Sequence, residues 1–543
     1  MQNPSARMAS KNYQPVAEDR HAWLSVVERL VKTSENRDRL QSAFDCLVDS
    51  SGDAEDAALL RRATELANEI AALCEPAAGC LVLYSCANAW AHLYALEHKE
   101  LQESQTGEEN LVTIVNHPAL LSELYFLHAA IQHEGFTAIE SDRRAKIHCN
   151  LGNALSACGR WIEALAEWRR ALVEQPILGM ALGNLGIGLT RYGGALYDPG
   201  HTYWFFVHAR RHLESAIEGG IGRDGATTIE AIEAFKWYQE RLAKEVGHHD
   251  DNELFKHSLG KSKAERAYRQ WALENQLFLN PMNDLGALPV AGYDALGLPN
   301  HNADVGITYL AFFNQIKQEY AYARHCLFQG EHARSVHYAD KEVALAFNCD
   351  YALYSMGLEQ IKTAFRSTYS LLDKVAFFIN GYWALEIPEQ GVSFRTLWFA
   401  PHKKGVPARE WTVRPEFSAT KNAALRALYW LSQDIYSQKL RDVARPDAKA
   451  LDHLRNHLEH KHAKIVDAFH WIAGVSERQP DQLAFVIKRE DLAAKTHLIM
   501  RVCRAALVYL CLAMHYEESQ ARLKDGAIVA GLPVDEYPDD LKL

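Results

Sequence analysis

The sequence has ten cysteines in 543 residues and no C-x-x-C pair among them. That argues against a thiol-built zinc site or a dithiol redox centre, and it reads as reduced thiols in a cytoplasmic protein. No H-E-x-x-H helix is present either, so no metal site and no cofactor is expected. Basic excess is lacking: the formal net charge is -11, which leaves the whole chain unattractive to a polyanion and confines any nucleic-acid contact to a local patch. The most apolar late run, residues 505–514, is too short to span a bilayer. The first twenty residues, MQNPSARMASKNYQPVAEDR, hold no apolar core of a signal peptide, and no membrane partner is expected. A phosphate loop is incomplete. Gly260-Lys261-Ser262 is there, but Phe255 stands where the earlier glycine belongs. Gly183, Gly186 and Gly188 fall inside a helical pattern and read as packing positions.

What remains is an ordinary folded composition, 48% hydrophobic and 23% charged, with room for two to four domains. From about Trp23 to Val246 the apolar residues recur at helical spacing and prolines are few. Around residues 145–176 the sequence AKIHCNLGNALSACGRWIEALAEWRRALVEQP places Leu151-Gly152, Leu155, Gly159, Ala164, Trp168, Ala171 and Pro176 at telling intervals. Small residues let two helices approach, and large ones fill the groove between them. Leu185-Gly186 follows thirty-four residues after Leu151-Gly152 (151 + 34 = 185). These residues resemble a tetratricopeptide (TPR) repeat. Residues 192–201 are expected to be a turn-rich insertion, with the second helix resuming at Ala209, Leu213 and Ala216. The whole of 21–245 then reads as a TPR-like α-solenoid, expected to bind a peptide or protein, or to clamp the rest of the chain; a scaffold without a ligand is the plainer alternative. Residues 1–20 are expected to be flexible, 246–302 to be a connecting segment, and 526–543 to be an acidic tail.

Between them, residues 303–525 read as a helical bundle, giving an all-α fold class. Helices are expected over 305–330, 351–387, 421–440, 446–473 and 489–521. Residues 392–417 interrupt them with a hairpin-like insert. In it Arg395, Lys403, Lys404, Arg409 and Arg414 face one acid, Glu410, among aromatic residues. Such interleaving suits single-stranded RNA; a solvated hairpin or a dimer contact would look the same.

The helix expected over 446–473 carries Arg455-Asn456-His457-Leu458-Glu459-His460. Its apolar stripe runs Leu451, Leu454, Leu458, Ile465, Phe469 and Ile472. At about 100° per residue, Asn456 lies about 160° from Leu458, His460 about 200° and His453 about 220°, all opposite the stripe. Arg455, at about 60°, lies on the flank, from which it could swing outward, and His462, at about 40°, belongs to the apolar side. An arginine can clamp a phosphate, and a histidine can move a proton near neutral pH. Arg143 with His148 repeats the spacing inside a TPR helix, where His148 fills a packing position, and Arg395 with His402 matches only at a longer spacing that Pro401 interrupts. The Arg455, Asn456 and His460 set resembles the motif of HEPN (higher eukaryotes and prokaryotes nucleotide-binding) domains, and a TPR region ahead of the bundle resembles a bacterial HEPN subfamily. The resemblance implies a metal-independent ribonuclease, a regulated effector of the phage-defence or toxin kind, dimeric through the bundle. Arg455, Asn456 and His460 would then be catalytic, and RNA the substrate. His453 and His457 are secondary candidates; as i, i+4 neighbours they would also suit zinc. A non-catalytic scaffold that binds RNA or protein is the remaining alternative.

Overall fold

The computed structural model describes residues 20–33, 37–104, 113–219, 227–299, 307–346, 350–401, 406, 411–437, 446–467, 483–525 and 537–542. Ten helices form the first half: α1 Arg20–Lys32, α2 Leu40–Asp53, α3 Ala57–Leu73, α4 Pro76–Ser104, α5 Pro118–Gln132, α6 Ser141–Ala157, α7 Trp161–Glu174, α8 Gly179–Ala195, α9 Pro199–Gly219 and α10 Ile229–Glu245. Proline opens α4, α5 and α9, where a missing N–H costs nothing. Asp56 caps α3 by accepting from the Leu59 N–H, and Thr228 caps α10 from Ala231.

Each helix packs on the next, and α2 on α4, α6 on α8 and α8 on α10 as well, which makes an α-solenoid. The small residues of the repeat motif sit at the tightest crossings. A Cβ on Gly152 would lie 2.5 Å from the Trp168 indole, and one on Gly186 would lie 2.6 Å from Leu213. Gly183 and Gly188 face Phe235 and Trp168 in the same way. The expected insertion at 192–201 is not there. The helices α8 and α9 extend into it and leave only residues 196–198 as a turn.

The bundle is built from α12 Thr308–His332, α13 Met356–Tyr382, α14 Ala423–Tyr436, α15 Pro446–His460 and α16 Arg489–Asp525. The central helix, α16, packs on α12, α13 and α14, while α15 packs on α13 and α14. Residues 489–521 of α16 are long and apolar enough to cross a membrane, yet 83% of that apolar window is buried in the protein. It is a core helix, and the run 505–514 lies wholly inside it.

Two short sheets qualify the all-helical picture. Strand β1 Thr113–Ile114 pairs antiparallel with β2 Ala419–Thr420 and so joins solenoid to bundle. Strand β3 His462–Val466 pairs in parallel with β4 Ala484–Lys488. The helix expected over 446–473 therefore ends at His460, and Ile465 belongs to a strand. Phe469 and Ile472 lie outside the described residues.

The described residues of the connecting segment, 246–299, form an ordered connection. They contain the helix α11 Lys263–Glu274 and a buried turn region gripped from both sides. Arg504 of α16 pairs with Asp284 at 2.7 Å and donates to the Phe278 and Asn280 carbonyls. The Tyr192 hydroxyl of α8 donates to the other Asp284 oxygen at 2.9 Å, and Arg169 of α7 to its carbonyl. Arg324 of α12 forks onto Asp294 at 2.8 and 2.7 Å. Burial would raise the Asp294 carboxyl, but the Arg324 charge and hydrogen bonds hold it below its ordinary value. Arg504 is 2% exposed and its partner Asp284 3%. Removing one side of such a pair costs about 3–5 kcal/mol.

The insert at 392–417 is pinned to the bundle core by its apolar residues. Phe394, Leu397 and Trp398 are fully buried, and Phe399 bridges Val413. Its tip, 402–405 and 407–410, lies outside the described residues, as do residues 1–19. The described end of the expected tail is the single turn Asp539–Leu541.

Candidate active site

Leu451 and Leu454 are fully buried and fix α15 against the bundle. Arg455 then points along the flank, toward α13 rather than outward. Its guanidinium lies 5.7 Å from the centroid of the Tyr369 ring, and its Nη1 donates to the Asn456 Oδ1 at 3.4 Å. Both residues are half-buried. Asp373, one turn beyond Tyr369, is pushed up by burial; the Phe394 N–H and the Arg455 charge pull part of that back. Tyr369 and Asp373 were not singled out from the sequence. The signal was a carboxylate inside a strongly apolar helix.

The histidines separate. His457 packs its ring against Phe485 of β4 at 5.4 Å. His460 is exposed, on the last turn of α15. His462 is exposed too, contrary to the expectation that it lies on the apolar side. The chain has left the helix by then, and His462 is the exposed first residue of β3. The side chain of His453 lies outside the described residues. Among the described residues no group of three or more His, Cys, Asp or Glu could hold a metal ion.

Strand β3 follows the motif at once and anchors its end. Lys464 pairs with Asp350 at 2.8 Å, and the Leu353 N–H donates to the Ile465 carbonyl at 2.8 Å. The last turn of α15 is thus held by a sheet rather than left to fray.

Five residues separate Arg455 from His460. On a helix that is about 140° of rotation and about 7.5 Å of rise. Arg455 and Asn456 are brought together; Arg455 and His460 point to different sides of one helix. The insert cations fare differently. Arg395 stacks over the Trp411 ring at 5.7 Å, and the Arg414 Nε donates to the Leu397 carbonyl at 3.1 Å. Arg414 is therefore spent on closing the insert. Lys403, Lys404 and Arg409 lie outside the described residues.

Fold and site together define an α-solenoid locked onto a helical bundle that presents an Arg-Asn-x(3)-His helix at its surface. Residues 301–517 match the family model described as LA2681-like HEPN, so the bundle is HEPN-like, and the match contains Arg455, Asn456 and His460. The solenoid lies outside it. No curated protein and no solved structure matches the chain.

Proposed function

We propose that the chain is a metal-independent endoribonuclease, a regulated effector of the bacterial phage-defence or toxin kind, with a TPR-like solenoid that senses a partner or restrains the bundle. The observation that carries the reading is the motif helix itself: a half-buried, pre-positioned arginine beside an asparagine, and an exposed histidine one turn on, inside a HEPN-like bundle. Arg455 pairs with the non-bridging oxygens of a phosphodiester and meets the charge that grows in the transition state. Asn456 orients that phosphate. His460 takes the proton from the ribose 2′-OH, whose oxygen attacks phosphorus; the bond to the 5′-oxygen breaks, and that oxygen takes up a proton. The products are a 2′,3′-cyclic phosphate and a 5′-OH. This reading assigns one catalytic histidine, His460, to each chain, so the second proton transfer falls to His460 of a second copy in a homodimer.

Purified chain incubated with RNA, with and without EDTA, beside His460→Ala, tests this. Cleavage that survives EDTA and vanishes in the variant supports it. Cleavage abolished by EDTA, or retained by the variant, overturns it.

A further inference from the structure

The motif helix is coupled to the solenoid through its neighbour. Helix α14 packs on α15, and the solenoid holds α14 at three points. Just ahead of α14, β2 pairs with β1 from the α4–α5 connection, and the Val115 N–H extends the ladder to the Ser418 carbonyl at 3.1 Å. At its first turn, the α6–α7 turn presses close: Gly159 sits at φ 80°, and a Cβ there would lie 2.1 Å from the Ala423 carbonyl. Near its last turn, Asp434 receives the Arg160 Nη2 at 2.8 Å, with the side chains 4% and 2% exposed. Ala423 and Asp434 are about 16 Å apart along the axis, so the two contacts with this one turn sit near opposite ends of α14. Beside them the Tyr509 hydroxyl of α16 receives the Ile162 N–H at 2.9 Å and donates to Glu163 at 2.8 Å.

We propose that α14 is the lever by which the solenoid sets α15, with the buried Arg160–Asp434 pair as its catch. A hairpin shift in the solenoid moves α14 as a rigid body, and α14 packs on α15, the helix that carries Arg455 and His460. A buried ion pair suits a catch, because half-broken positions leave charge unpaired in the interior and the element has discrete settings rather than a continuum. In the resting chain the catch holds α15 in its restrained setting. This rests on the ribonuclease reading for its output, and the test separates the two.

Removing one partner strands a buried charge, whereas replacing both with apolar residues is closer to neutral for folding; Glu163, 3.6 Å from Arg160 and 17% exposed, keeps its bond from the Tyr509 hydroxyl. The full chain carrying Arg160→Met with Asp434→Leu is compared with wild type and with an exposed-pair control, Arg241→Met with Glu245→Leu. Hydrogen exchange over 446–460 and cleavage of RNA by the resting protein are read together. The expected result is exchange at least fivefold faster in α15 and resting cleavage at least fivefold higher, with neither change in the control. Faster exchange with no RNA cut by any chain supports the lever and counts against the ribonuclease. Unchanged exchange in α15, equal change in the control, or faster exchange with unaltered cleavage by an active enzyme overturns the lever. Gly159→Ala, which drives a Cβ into the Ala423 carbonyl, gives the same readouts if the double variant fails to fold.

Discussion

The Tyr369 ring backs Arg455, and the Asp373 carboxyl lies within reach of its charge. The ring is 4% exposed, so it offers the guanidinium a fixed face rather than a mobile one. A desolvated cation–π contact contributes about 2 kcal/mol. Tyr369→Ala is expected to lower RNA cleavage about tenfold or more, chiefly through kcat, while Tyr369→Phe keeps the ring and stays within about threefold of wild type. Steady-state kinetics well below the melting temperature separate this from lost stability. A second single-residue consequence lies in the solenoid. Glu123 is 7% exposed, and burial pushes its carboxyl up to about 8. The folded state therefore binds a proton that the unfolded state, near 4.5, has already released. Stability must fall as pH rises from about 4.5 to about 8 and level off above. Glu123→Gln removes that slope, so its melting temperature should gain on wild type with rising pH, the gain being small at pH 5 and full by pH 9. A gain of equal size at both pH values would refute the assignment.

The elements answer differently to local pattern. Helix α14 opens on Asn422, which accepts from the Leu425 N–H at 3.1 Å and donates to the Ala513 carbonyl and to Glu517 at 2.9 and 2.8 Å. It caps one helix and ties it to another, and it is fully buried. Asn422→Ala is expected to cost about 2–3 kcal/mol, read from urea unfolding. Such caps, the proline-led starts and the small residues at Gly152 and Gly186 are local signals, and the helices they mark were legible in the sequence. What was not legible depended on distant partners. HAKIV at 462–466 continues a helical stripe through Ile465, and only its parallel partner at 484–488 makes it a strand. Residues 277–296 have the glycine and proline content of a linker, yet Arg504, more than two hundred residues away, claims their carbonyls and carboxylate. The motif residues were found from spacing, but the support under Arg455 was not, because Tyr369 and Asp373 reach it from another helix.

At the scale of the whole molecule, the proposed reaction moves two protons and assigns one catalytic histidine, His460, to each chain. Arg455 is turned toward α13 and His460 outward, about 140° apart, so the outward face of α15 is the natural meeting place for a second copy related by a two-fold axis, as isologous dimers are. If both His460 side chains serve one centre, a dimer with one altered chain is inactive. Wild-type and His460→Ala chains expressed in equal amounts pair at random, and about a quarter of the dimers carry both histidines. Cleavage per dimer should then fall to about a quarter of wild type, and affinity-purified mixed dimers should show almost none. A site contained within one chain predicts half in both measurements, because each wild-type chain would act alone. The two outcomes differ enough to be read from a single time course, and the purified mixed dimer decides between them without any assumption about pairing.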